Sequence, residues 1–323
     1  MAAIITIGER LVEMMAKNVG QRFDVPGEYD GPYPSGAPAI FIDQVAKTGG
    51  SCRIVGMVGD DLFGTLIKRR LRNDGVDVSF VGTARDKTTG IAFVTYKPDG
   101  GRDFIYTTRD SAAAELAASA IREEMFESGR WLHIMGCSIF SEEMIRVFEK
   151  AIAVAKARGM RITFDPNIRK EILNDADVRH FILQITALCD VFLPGEDELR
   201  WITGREDERE AVNSVFAHRA RFVVVKRGRK GCTLYERTGE GTSMFDVAAY
   251  PAREVDPTGA GDCFAGTFIS LLDQGYGARE AVAYAAASGA MAVMRKGPME
   301  GTATLGQLRD FMRDAGDKAK REY

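Results

Sequence analysis

Short apolar runs alternate along the chain with longer stretches whose apolar residues recur every three or four positions. The runs at 4–7, 53–58, 131–135, 161–164, 191–193 and 222–225 are rich in residues that favour extended backbone and predict strands. The stretches at 61–73, 142–158, 263–274 and 278–294 carry helical spacing with flanking glycines and predict helices. This alternation argues for a mostly parallel sheet with helices on both faces, which places ligands at the carboxyl ends of the strands.

Two segments depart from the pattern. Residues 9–34 are rich in Gly, Pro and Tyr. Residues 88–107 hold two strand-like runs, 90–96 and 103–107, around the turn Pro98-Asp99-Gly100-Gly101, which is hairpin chemistry. Both segments are expected to form a small sheet projecting from the core as a lid. Nothing repeats at a fixed period, so 1–323 is expected to be one domain with lid segments at about 9–34 and 88–107.

Composition narrows the function classes. Hydrophobic residues at 45% and charged residues at 28% suit a chain that buries a sizeable interior. A net charge of -3 gives no general attraction to nucleic acid. Arg69, Arg70 and Arg72, like Lys318, Lys320 and Arg321 in the tail, read as wet helix faces. The five cysteines, Cys52, Cys137, Cys189, Cys232 and Cys263, contain no CxxC pair, so neither a disulfide frame nor a zinc site is expected. With no basic leader before the first strand and no apolar run of membrane length, the chain is expected in the cytoplasm, away from membranes.

The most informative stretch runs from Glu254 through Val255-Asp256-Pro257-Thr258-Gly259-Ala260-Gly261-Asp262 into a helical pattern. Gly259 and Gly261 permit close backbone approach, and a helix N-terminus supplies amide donors and a positive dipole end, so the loop can hold an anion. That arrangement suits a phosphoryl group in transfer, with Asp262 beside it to accept a proton from an attacking hydroxyl. Asp at this place is equally a helix cap. Other loop chemistries fit worse. The Walker pattern is absent, a dinucleotide GxGxxG would need glycine where Phe264 stands, and His133, His180 and His218 have no recognisable nucleophile partner.

With those residues in view, the chain resembles the ribokinase-like sugar kinases of the phosphofructokinase B type. Asp256-Pro257-Thr258-Gly259-Ala260-Gly261-Asp262 matches their C-terminal signature, D-T-x-G-A-G-D. Ser35-Gly36-Ala37-Pro38 and Gly56-Met57-Val58-Gly59-Asp60-Asp61-Leu62-Phe63-Gly64 are similar to the N-terminal one. The resemblance implies a three-layer α/β/α fold with a mostly parallel central sheet and a small β-sheet lid. It also implies an ATP-dependent kinase that uses Mg2+, with a site for a monovalent cation such as K+. Asp262 would be the catalytic base, and the backbone of Gly259, Ala260 and Gly261 the anion hole. Lys226, Gly228, Thr258, Gly261 and Ser288 would serve the nucleotide, with Ala285 and Gly289 on the same helix as Ser288. Glu198 takes the acidic place of an N-x-x-E metal motif whose Asn is here Gly195, and Asp256 with carbonyls near Gly297 lies where relatives hold a monovalent cation. Exposed lid edges make a homodimer the expected assembly.

The sugar end is less uniform. Asp165-Pro166-Asn167-Ile168-Arg169 is similar to the D-x-N-x-R motif of relatives acting on ketohexoses and 2-keto-3-deoxygluconate, making Arg169 a substrate contact, together with Gly36 and Tyr106. Ile40 stands where relatives have an Asn. The lid reads Tyr106-Thr107-Thr108-Arg109, and period-two alternation turns Arg109 away from the face of Tyr106. These features are most similar to members labelled tagatose kinase, so a neutral ketohexose such as tagatose or fructose is the expected substrate. A 2-keto-3-deoxygluconate kinase, a nucleoside kinase and a non-catalytic sugar sensor are the alternatives.

Overall fold

The computed structural model describes residues 2–168 and 175–321, with thirteen strands and nine α-helices among them. The strands are β1 (Ile4–Ile7), β2 (Leu11–Ala16), β3 (Tyr29–Ser35), β4 (Cys52–Gly59), β5 (Val81–Ala84), β6 (Gly90–Tyr96), β7 (Arg102–Tyr106), β8 (Trp131–Met135), β9 (Arg161–Asp165), β10 (Val191–Phe192), β11 (Phe222–Lys226), β12 (Cys232–Thr238) and β13 (Gly241–Val247). The helices are α1 (Ala37–Lys47), α2 (Leu62–Asn73), α3 (Glu142–Ala157), α4 (Ala176–Leu188), α5 (Glu196–Thr203), α6 (Glu208–Phe216), α7 (Ala260–Asp273), α8 (Ala278–Ala292) and α9 (Leu305–Arg321).

Nine strands form the main sheet in the order β13-β12-β11-β10-β9-β8-β1-β4-β5. It is parallel from β11 to β5, and only the β11–β12 and β12–β13 pairings are antiparallel. β1 and β8 are buried at every position because both faces are covered, which is why they read as continuous apolar runs. Alternate side chains feed two cores. Ile5, Ile7, Leu132, Ile134, Ile162 and Phe164 join one with α3 and α4, whereas Ile4, Ile54, Trp131 and Val191 join the other with α1 and α7. Three layers follow from that division.

Helix α3 shows how the pattern encodes an element. Met144, Val147, Phe148, Ala151, Ile152 and Ala155 form its buried stripe, and the Ser141 hydroxyl caps it by accepting the Met144 N–H. A second sheet, ordered β3-β2-β6-β7, stands apart from the first, and its strands fall in the windows expected for the lid. Here β2 and β6 are parallel and the outer pairs antiparallel.

Two details differ from expectation. Arg70 is not a wet surface charge: it reaches Asp74, Glu300 and Asp43 and donates to the Met299 carbonyl, tying α2 to the segment after α8. Helix α7 starts at Ala260, earlier than apolar spacing suggests, which moves Asp262 inside the helix. All five cysteines are buried thiols, and no helix among the described residues is long and apolar enough to cross a membrane.

Candidate active site

The carboxyl ends of the parallel strands, the start of α7 and the inner face of the lid surround two adjoining cavities. One, of about 700 Å³, is lined by Gly36 and Ile40 of the core, Arg102, Phe104 and Tyr106 of the lid, and Asn167, Thr258, Gly259 and Asp262. The other, of about 560 Å³, is lined by Lys226, Gly228, Gly231, Pro257, Ala260, Gly261, Phe264, Gly289 and Ala290. The turn from Pro257 to Asp262 contributes to both, so it is the partition between them.

Gly259 makes that turn possible. It is the residue before α7 and sits in the left-handed region at φ +79°, where a Cβ would come 2.5 Å from the Pro298 carbonyl and 3.2 Å from Ile40. A glycine alone fits both the dihedral and the space. The fourteen-residue helix α7 that follows directs its N-terminus at the junction of the cavities. Asp262 is the third residue of this helix and is buried, with Gly259 in the cap position. The cap alternative for Asp262 therefore falls away. Its Oδ1 accepts the Asn167 side-chain N–H at 3.2 Å, and the carboxylate faces the first cavity.

Lys226, at the end of β11, donates to Asp165, at the end of β9, with 2.5 Å between Nζ and Oδ2. Burial works against the Lys226 ammonium, but Asp165 and Glu198, with Asp262 beyond them, outweigh it and raise its pKa above the ordinary lysine value. This cation lies against Gly261, where a Cβ would stand 3.7 Å from Nζ. It is a half-buried charge at the partition, paired to a fully buried carboxylate.

Several expected contacts take other tasks. Thr258 lines the first cavity, not the second, to which the other expected nucleotide residues Lys226, Gly228 and Gly261 contribute. Its hydroxyl accepts from Arg102 of the lid at 2.8 Å and donates to Asp256 at 2.7 Å. Ser288 is fully buried behind the second cavity, donating to the Cys263 carbonyl, and the α8 lining is instead Ala286, Gly289 and Ala290. Asp256 accepts the Thr258 N–H and hydroxyl on one oxygen and the Gly297 N–H on the other. Three donors hold that buried carboxylate, which braces the loop. Glu198 accepts the Gly195 N–H at 2.6 Å on one oxygen and the Ile168 N–H at 2.8 Å on the other. Among the described residues no group of three or more His, Cys, Asp or Glu is placed to hold a metal.

Gly36, at φ +107°, and Tyr106 line the first cavity as expected, and Gly228 lines the second. Arg169 lies outside the described residues. Arg109 is exposed and lines neither cavity, because β7 ends at Tyr106 and a short helical turn, Thr108–Asp110, follows. None of the histidines lines either cavity. His133 is buried, stacked on Phe41 at 3.6 Å.

Sequence reasoning missed Arg102, Asn167 and the Lys226–Asp165 pair. Arg102 shares the period-two face of Phe104 and Tyr106, a signal present once the second lid strand is started one residue earlier. Asn167 and Asp165 stand in the D-x-N-x-R stretch, whose resemblance implies a contact for the arginine alone.

The family model of the pfkB family carbohydrate kinases matches residues 27–305. Fructokinase-1 of Oryza sativa subsp. japonica is 30% identical over 323 residues, which cover 97% of this chain and 98% of its own. A candidate Ribokinase II from E. coli has a TM-score of 0.93 and 42% identity, covering 97% of this chain and 100% of its own, and its complex with ATP and Mg2+ gives 0.92. Fructokinase from Vibrio cholerae O395, with fructose, ADP and a calcium ion bound, has a TM-score of 0.83 at 27% identity, covering 96% and 99% of the two chains.

Proposed function

The chain belongs to the pfkB family of carbohydrate kinases, and on that premise we propose that it transfers the terminal phosphoryl group of MgATP to a primary hydroxyl of a ketohexose, with fructose the first expected acceptor. The observation that carries this reading is the position of Asp262 at the partition between two cavities, facing the lid-covered one. In the proposed complex the sugar occupies the first cavity and the nucleotide the second, with magnesium arriving as part of MgATP. Asp262 accepts the hydroxyl proton as the sugar oxygen bonds to the γ-phosphorus and the bond from that phosphorus to the ADP oxygen breaks. The α7 N-terminus with the Gly259, Ala260 and Gly261 amides, and the Lys226 ammonium beside them, balance the charge on the transferring group. Arg102 draws the lid onto Thr258 and so excludes water, which would otherwise divert the phosphoryl group.

The fructokinase relatives, and the fructose in the V. cholerae structure, support fructose over tagatose as the first acceptor. A sugar acid such as 2-keto-3-deoxygluconate is the second reading, favoured by the Arg102 guanidinium in the first cavity. A coupled ADP-release screen of fructose, tagatose, other ketoses, 2-keto-3-deoxygluconate and nucleosides tests the assignment. The expected result is the highest kcat/KM on a neutral ketohexose. Preference for the sugar acid or a nucleoside, or no sugar-dependent ADP release, overturns it. A homodimer joined through the lid edges β3 and β7 accompanies this reading, supported by the half-exposed Ile105 on β7, and sedimentation of wild type against Ile105→Lys measures it.

A further inference from the structure

Among the described residues only Ser128 and Asn167 are non-glycines with positive φ, and Asn167, at φ +38°, is the one that touches Asp262. A side chain held in that region marks a backbone fixed by its surroundings. The surroundings here are specific. The Ile168 N–H, next along the turn, is bound by Glu198 Oε1, and the Asn167 N–H lies against the Asp165 carboxylate that Lys226 holds. On the other side the Pro166 carbonyl lies so close to Gly136 that a Cβ there would come within 2.0 Å of it. Glu198 itself is fixed by its second oxygen, which accepts the Gly195 N–H at the start of α5.

We propose that Asn167 orients the Asp262 carboxylate for proton transfer, and that Glu198 serves the reaction as a positioning residue by pinning the turn that carries Asn167. The inference rests on Asp262 being the base. A carboxylate can rotate about its final torsion, and only some of its lone pairs face a hydroxyl in the first cavity. A side-chain amide donating to Oδ1 stops that rotation and favours the ionised form, which is the form that accepts a proton. The Gly195 N–H and Glu198 close on each other as a helix-entry residue and the acid three positions on commonly do. Glu198 thus gives each oxygen to a backbone donor, and the donor on Oε1 is the residue that follows Asn167.

Six variants test this. Asn167→Gly keeps the left-handed backbone accessible but removes the amide. The expected result is a kcat lower by about tenfold to a hundredfold, little change in KM for ATP, and an acidic limb of kcat/KM displaced to higher pH. Glu198→Ala is expected to lower kcat similarly with the Mg2+ concentration for half-maximal rate unchanged, and Glu198→Gln, which keeps one acceptor, to recover part of the loss. The double variant Asn167→Gly with Glu198→Ala is expected to be no slower than the slower single one, because both changes break one unit. Losses that multiply, or a higher Mg2+ requirement in Glu198→Ala, overturn the positioning role. Folding of each variant is checked by its thermal midpoint, and Gly136→Ala, which displaces the turn from outside both cavities, is expected to reproduce the pH shift. Normal kcat and pH profile in Asn167→Gly, with turnover lost in Asp262→Asn, overturns this proposal alone. Retained turnover in Asp262→Asn overturns the reading of the base on which it rests.

Discussion

At the scale of single residues, Gly259 shows why the phosphate-handling turn is legible in a sequence. The turn needs a left-handed residue with no side chain at the start of a helix, and few residue types satisfy that, so the requirement is written into the letters. Gly259→Ala is expected to destabilise the fold by about 1–2 kcal/mol from the dihedral alone, with more from the contact to the Pro298 carbonyl 2.5 Å away. Its turnover is expected to fall further than its thermal midpoint explains, because the partition itself moves. A wild-type kcat in Gly259→Ala would contradict this. Contacts made across the fold are not written in that way. Asn167 meets Asp262 across ninety-five positions of chain, and Arg102 meets Thr258 across one hundred and fifty-six. Neither pairing leaves a local signature, and the pairing of Lys226 with Asp165 is likewise visible only after β9 and β11 are placed in one sheet.

The elements were legible where periodicity was strong and obscure where function bent it. Long apolar stripes such as that of α3 and the buried runs of β1 and β8 gave their elements directly. Helix α1 is absent from the elements that spacing predicts, although Pro38 is well suited to a first helical turn. At this scale the lid strand β7 and the helix α8 carry separable tasks. Arg102→Gln is expected to raise the sugar KM by about tenfold, the equivalent of one charged hydrogen bond at about 1.5 kcal/mol, and to increase ATP hydrolysis in the absence of sugar. Steady-state assays with and without sugar measure both, and an unchanged sugar KM would count against the latch. Ala290→Phe fills part of the second cavity. It is expected to raise KM for ATP while leaving the sugar KM in place, and the reverse pattern would exchange the roles of the two cavities.

For the whole molecule, the alternation of strands and helices gave the three layers, whereas the antiparallel pair β12 and β13 and the ionic tie between α1, α2 and the segment after α8 did not show. In that tie Asp43 is fully buried. Burial pushes its carboxyl up to about 7, Arg70 pulls the other way, and the neighbouring Asp74 pushes it further up. Between the unfolded value near 3.9 and about 7 the folded chain therefore holds a proton that the unfolded chain releases, so this residue's contribution falls as pH rises through that window. Asp43→Asn is expected to gain stability relative to wild type between pH 5 and pH 8, read from thermal midpoints, and a constant difference across that range would refute the assignment. The central claim, that one carboxylate at the partition of two cavities drives phosphoryl transfer to a sugar, is tested most directly by sugar-dependent ADP release from Asp262→Asn. The account predicts a folded protein with wild-type-like substrate KM values and a kcat lower by roughly a hundredfold to ten-thousandfold. A folded Asp262→Asn protein that turns over at close to the wild-type rate would contradict it.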